Sequence, residues 1–126
     1  MKETRFEGEE FIHLLKGEEE YSRMKIEGEG CLVRKASPVR LCVREDDPIY
    51  GFQQECIVMG TLANLGSGKA ILEEDILFPS PSSAASFVNG KRASGLSFWK
   101  TSFGMSLGMA MEDMDIPYPA SWRKHR

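Results

Sequence analysis

Apolar and polar positions alternate with period two most clearly at Val39, Leu41 and Val43, which are separated by Arg40, Cys42 and Arg44. Successive side chains of a strand point to opposite faces, so this pattern predicts a strand over 39–44 with its arginines outward. The same alternation in Met24-Lys25-Ile26-Glu27 predicts a half-buried strand. Gly28 and Gly30 allow a tight reversal from it into a second strand over Cys31–Lys35, which Pro38 ends. Helical spacing predicts three further elements. Phe6, Phe11, Ile12, Leu14 and Leu15 fall close to one helical face, giving a short helix over about Glu9–Lys16 stopped by Gly17. Asp47 followed by Pro48 is a helix start, with Ile49, Phe52, Cys56 and Met59 as the buried stripe of a helix over about Pro48–Met59 that Gly60 ends. Leu107, Met111 and Met114 are spaced as the inner stripe of a helix over Met105–Met114, which Gly104 and Gly108 weaken.

The clearest helix start lies in Ser80-Pro81-Ser82-Ser83-Ala84-Ala85-Ser86-Phe87-Val88-Asn89-Gly90. Ser80 suits the N-cap, Pro81 the first helical position, the alanines the interior and Asn89-Gly90 the end. Between the two long helices, Asn64–Gly68 reads as a turn, and Lys69–Leu72 and Ile76–Phe78 read as extended segments. After the loop Lys91–Gly95, a strand is expected over Leu96–Lys100, with Trp99 near its end. Ile116–Pro119 reads as extended, and residues 117–126 form a basic C-terminal tail. There is no internal repeat or linker composition. The expectation is a single domain over residues 1–126, of α+β class, with a small mixed or antiparallel sheet of about five strands and three or four short helices.

Composition narrows the class. Apolar residues make up 41% and charged residues 28%, ordinary for a globular protein. No run approaches the roughly 18–20 apolar residues that span a bilayer. Met1–Arg5 leads into an acidic stretch where a secretory signal would carry an apolar one, so no membrane partner is expected and the cytoplasm is the expected compartment. The three cysteines, Cys31, Cys42 and Cys56, fit neither a disulfide framework nor a zinc knuckle and read as reduced core residues. His13 and His125 are the only histidines, without an acid–base partner or metal-ligand spacing around them, so no catalytic residue, no metal and no cofactor is expected. Gly66-Ser67-Gly68-Lys69 lacks the first glycine of a phosphate loop and reads as a hairpin-like turn.

The net charge of −3 hides an asymmetry. Residues 31–44 and 76–111 contain no acid. The first window holds Arg34, Lys35, Arg40 and Arg44, and the second holds Lys91, Arg92 and Lys100. If the two windows meet, they form a basic face on an acidic protein. Within the second window, the start of the Ser80–Gly90 helix has free backbone N–H groups and a partial positive charge. Ser80, Ser82 and Ser83 surround it with hydroxyls, Lys91, Arg92 and Lys100 supply charge, and Trp99 offers either a ring for stacking or a core residue. Together they are the candidate phosphate-binding set, with Arg34, Arg40 and Arg44 as its basic flank.

The run Phe78–Gly90, with Gly95 and Trp99-Lys100 after it, resembles a bacterial domain of unknown function that is appended to GIY-YIG nuclease-like proteins and predicted DNA methylases. It is also akin to the RAMA domain, associated with restriction enzymes and adenine methylases. The shared element is Ser80-Pro81-Ser82-x-Ala84-Ala85. Gly30–Ser37 is similar to an earlier strand of the same domain, so the likeness covers about residues 24–112. Leu96 stands where the family commonly has an aromatic residue, and Ala36 stands where it usually has glycine. The resemblance implies a non-catalytic module that binds DNA or senses modified DNA in a restriction–modification system, with a separate nuclease or methylase subunit as partner. The alternative is a protein–protein adaptor using the methionine-rich segment Met105, Met109, Met111 and Met114.

Overall fold

The computed structural model describes residues 8–114, 119, 121 and 122. The readings made for Phe6, for Ile116–Tyr118, for His125 and for most of the basic tail lie outside these residues. The hairpin predicted around Gly28 is present: β2 (Ser22–Glu27) pairs antiparallel with β3 (Gly30–Val33), with Met24 opposite Val33 and Ile26 opposite Cys31. β1 (Glu10–His13) adds to the free edge of β2, and β7 (Ile76–Phe78) adds to β3, giving a four-stranded antiparallel sheet in the order β1-β2-β3-β7. A second antiparallel sheet has the order β4-β6-β5, from Pro38–Arg40, Lys69–Leu72 and Leu62–Gly66. The fold is α+β, with strands divided between two small sheets instead of the one sheet expected.

Two buried serines tie the sheets together. The Ser22 hydroxyl donates to the Pro38 carbonyl at 2.6 Å, and the Ser37 hydroxyl accepts from the Arg23 N–H at 3.0 Å. The turn before Ser37 puts Ala36 at φ 74°. That left-handed conformation favours glycine, which is the residue the resembling family usually has there.

Among the described residues there are also four helices: α1 (Pro48–Met59), α2 (Pro81–Asn89), α3 (Gly95–Phe98) and α4 (Leu107–Asp113). α1 starts where the sequence places it, with the Asp47 carboxylate accepting from the Ile49 N–H at 2.9 Å, and ends at Gly60, at φ 83°. α2 packs against β3, β4 and β7, and α1 packs against β5 and α2, so α2 lies at the centre of the core. Among the described residues, no helix is long and apolar enough to cross a membrane.

Several expectations are corrected. The Glu9–Lys16 segment is a strand and not a helix, because both its edges find backbone partners. Phe11 lies opposite Met24, while Ile12 exchanges two backbone hydrogen bonds with Lys100, at 2.7 and 2.9 Å. The strand expected over 39–44 stops at Arg40: the Leu41 N–H turns to the Gly68 carbonyl, the Cys42 N–H goes to Gln53, and Val43 faces solvent. Leu96–Lys100 is not a strand. The Ser94 carbonyl accepts from the Ser97 and Phe98 N–H groups, which winds Gly95–Phe98 into one helical turn. β5 takes in Leu62 and Ala63, for which no element is predicted, and the first three residues of the predicted turn, so the reversal narrows to Ser67-Gly68. In α1 the buried residues are Gln53 and Cys56, while Phe52 and Met59 are exposed, so the inner face is turned from the apolar stripe. Met114 is also exposed, whereas Leu107 and Met111 are buried as expected.

His13 ends β1 with its ring stacked on Phe98, centroids 3.6 Å apart and planes 10° from parallel. Its Nδ1 donates to the Phe98 carbonyl oxygen at 2.9 Å. Burial lowers its pKa below the ordinary 6.5, the Phe98 carbonyl works the other way, and the positive charge of Lys100 lowers it further. A depressed folded-state pKa means the unfolded chain binds the proton more readily, so this contribution to stability is complete above the unfolded value and is lost as the pH falls below it. Between about pH 7 and about pH 5, the denaturation midpoint is therefore expected to fall more steeply for the parent protein than for His13→Gln. Parallel pH profiles would show that His13 contributes no such linkage.

Candidate functional site

The start of α2 is closed by the protein's own chain. Ser80 accepts from the Ser83 N–H at 3.1 Å, and the Ser83 hydroxyl reaches back to the Ser80 N–H and carbonyl at 3.2 and 3.0 Å, a complete capping box. The Ser82 hydroxyl accepts from the Gly95 N–H at 2.9 Å, and the Trp99 indole N–H donates to the Pro81 carbonyl at 3.0 Å. Ser80 is 0% and Ser82 8% exposed. Neither can hold a phosphate without opening the junction between α2 and α3, so both leave the candidate set. Trp99 is fully buried, with its ring edge-on to Phe98, and its role is structural.

The expected basic flank is largely neutralised. Arg34 sits 2.7 Å from Glu10 and 3.8 Å from Asp75, Arg44 lies 3.3 Å from Asp46, and the Arg40 guanidinium donates to the Lys16 carbonyl at 2.8 Å. Lys100 bridges β1 to the residue before α4, with its ammonium on the Ser97 carbonyl at 2.7 Å, and does not line the cleft described below. Lys91 and Arg92 differ from these: both are exposed, and neither makes an ion pair among the described residues.

Arg92 stands at the edge of a cleft between α1 and α2, of about 580 Å³. That size falls within the range of small-ligand sites. One wall is Pro48, Ile49 and Phe52 of α1 with the N-cap Asp47, and the other is Ser83, Ser86 and Phe87 of α2 with Phe78 from the end of β7. The three phenylalanines form one aromatic cluster. Phe52 is edge-on to Phe87 at 5.5 Å and to Phe78 at 6.1 Å, and Phe78 is 5.1 Å from Phe87. Phe52, 41% exposed, offers its ring to the cleft. The polar lining residues are Asp47, Ser83, Ser86 and Arg92. Ser86 is held by the Ala93 N–H at 3.0 Å, which also positions the loop carrying Arg92, and one Asp47 oxygen caps α1.

Both walls are held in place by Gln53, a buried polar residue on α1. Its amide N–H groups donate to the Phe87 carbonyl at 2.9 Å and the Arg40 carbonyl at 3.0 Å, and its oxygen accepts from the Cys42 N–H at 2.8 Å. Of the residues expected to bind phosphate, Ser83 and Arg92 come together at the cleft, with Lys91 next to Arg92. Phe52, Phe78, Phe87, Ser86 and Asp47 were not anticipated there. Four of the lining residues, Phe78, Ser83, Ser86 and Phe87, fall inside the run that carries the family resemblance, which was the one available pointer.

Among the described residues, no group of three His, Cys, Asp or Glu side chains converges on one point. All three cysteines are buried, and burial pushes the Cys31 thiol up to about 12. The Gly66–Lys69 turn leads into a strand, not a helix, so it is a hairpin turn and no phosphate loop. The sequence matches the family described as Domain of unknown function (DUF4357) over residues 14–111. No curated protein and no solved structure matches the chain.

Proposed function

This chain belongs to the DUF4357 family of domains of unknown function, and we propose that it is a non-catalytic accessory module that binds DNA through the cleft between α1 and α2. The observation that carries the proposal is the cluster of Phe52, Phe78 and Phe87 beside the exposed cations Arg92 and Lys91. Aromatic faces stack on bases whatever their identity, and cations beside them engage the phosphates. The resemblance of the Phe78–Gly90 run to nuclease- and methylase-appended domains favours DNA over other anionic aromatic ligands. It also suggests a separate nuclease or methylase subunit as partner, in a restriction–modification setting where the module reports on modified bases.

With two cations at the cleft that make no ion pair among the described residues, few counterions are released on binding, and log K should fall with log salt with a slope of about −1.5 to −2. A band-shift titration with single-stranded and duplex oligonucleotides, methylated and unmethylated, at two salt concentrations tests this. Binding at micromolar protein in low salt is expected, weakened at least about tenfold in Arg92→Glu through loss of one phosphate contact and added repulsion. Absence of binding to every oligonucleotide in low salt would end the DNA proposal.

A protein-interaction role is favoured by a separate observation. Phe103 is 96% exposed at the tip of the turn before α4, and Met105, Met109 and Met114 are exposed beside it in sequence. The discriminating measurement is self-association or partner capture that Phe103→Ser abolishes and Arg92→Glu leaves intact.

A further inference from the structure

Resting on the DNA-binding reading of the cleft, we infer that its ligand is an unpaired base of single-stranded DNA and not the groove of a duplex. Three observations support this. The first is shape. Reading a duplex groove calls for a projecting element, most often a helix whose side chains reach base edges and phosphates. None of the four described helices carries a lysine or an arginine. The site is instead a concavity with an exposed ring, Phe52, on one wall. Inside a duplex both faces of a base are covered by its neighbours, so only an unpaired base can present a face to that ring.

The second observation is the distribution of charge. Arg92 lines the cleft with Lys91 next to it in the chain, and Asp47, directly preceded by Glu45 and Asp46, lines it as well. Of those three acids, Asp46 faces Arg44, and the others make no ion pair among the described residues. A duplex presents two phosphate backbones to this mixed lining. A single strand presents one and can place a base inward, with less repulsion from the carboxylates.

The third is rigidity. The walls are fixed by Gln53, and the loop bearing Arg92 is fixed by Ser86, so the concavity exists before a ligand arrives. A preformed site for one base recognises bases already unstacked and does little to extract paired ones.

The test is fluorescence anisotropy of the whole chain with three labelled DNAs of one sequence: a single strand, its blunt duplex, and the duplex with one bulged nucleotide. The single strand and the bulged duplex should bind about tenfold or more tighter than the blunt duplex, the magnitude of one base–aromatic stack. Phe52→Leu, which keeps an apolar side chain at a partly exposed position, should lose about that factor on the single strand and leave the blunt duplex unchanged. Arg92→Gln should weaken all three DNAs together, since it removes a phosphate contact. A blunt duplex bound as tightly as the single strand, or a Phe52→Leu protein with undiminished single-strand affinity, overturns the unpaired-base inference and leaves DNA binding standing. Failure of all three DNAs to bind removes both.

Discussion

Gly95→Ala should lower the thermal midpoint by ~10 °C, whereas Gly51→Ala should raise it by a few degrees. The two glycines differ in what lies above them. Gly51 is exposed within α1, and a methyl group there would meet nothing within 4 Å. Its replacement removes backbone freedom from the unfolded chain and improves helix propensity, for a gain of about 0.5–1 kcal/mol. Gly95 opens α3 against the first turn of α2, and a Cβ there would fall on the Pro81 carbonyl and the Ser82 nitrogen, both of them backbone. Overpacking of this kind costs about 1–3 kcal/mol or more, and the upper end applies because neither backbone can rotate away. Any shift that relieved the clash would also strain the Gly95–Ser82 and Trp99–Pro81 hydrogen bonds. Melting curves of both variants followed by circular dichroism decide the matter. A Gly95→Ala protein that melts with the parent would mean that the α2–α3 junction is looser than described.

Gln53→Leu is expected to be comparably destabilising, by about 3 kcal/mol. Gln53 is fully buried and uses its amide oxygen and both amide N–H groups. Leucine fills a similar volume, so the loss comes from stranding partners and not from a cavity. The Cys42 N–H and the Phe87 carbonyl are left buried without a partner, each at about 1–3 kcal/mol, while the Arg40 carbonyl is closer to solvent and can turn to water. Chemical denaturation at neutral pH measures the effect. Because Gln53 joins α1 to the Phe87 end of α2, the DNA affinity proposed for the cleft should fall with stability. A variant of unchanged stability would show that these three hydrogen bonds are replaceable.

The candidate site was only partly legible. The serine-rich start of α2 points to Ser83, and the acid-free window past the other end of that helix points to Lys91 and Arg92. That the start of α2 is closed is not legible locally, since Gly95 and Trp99, which help to close it, lie 13 and 18 residues from their partners, in a predicted loop and a predicted strand. Phe52 fits an apolar stripe along α1, which predicts it for the core. The orientation of that helix is set instead by Gln53, whose partners lie 11, 13 and 34 residues away.

The chain by itself determined the elements whose signals are complete within a few residues. These are α1 between Asp47 and Gly60, α2 between Ser80 and Gly90, and the β2–β3 hairpin around Gly28. Each is set by a capping side chain or a left-handed glycine in contact with its immediate neighbours. Tertiary structure alone decided that residues 10–13 are a strand, that residues 95–98 are a helical turn, which side of α1 faces inward, and that three phenylalanines from three elements share one cleft. In each case the deciding partner is remote in sequence, as Lys100 is for Ile12 and Phe87 is for Gln53. Backbone and side-chain hydrogen bonds that can be satisfied only across the fold outweigh local periodicity, which is worth a fraction of a kcal/mol per residue.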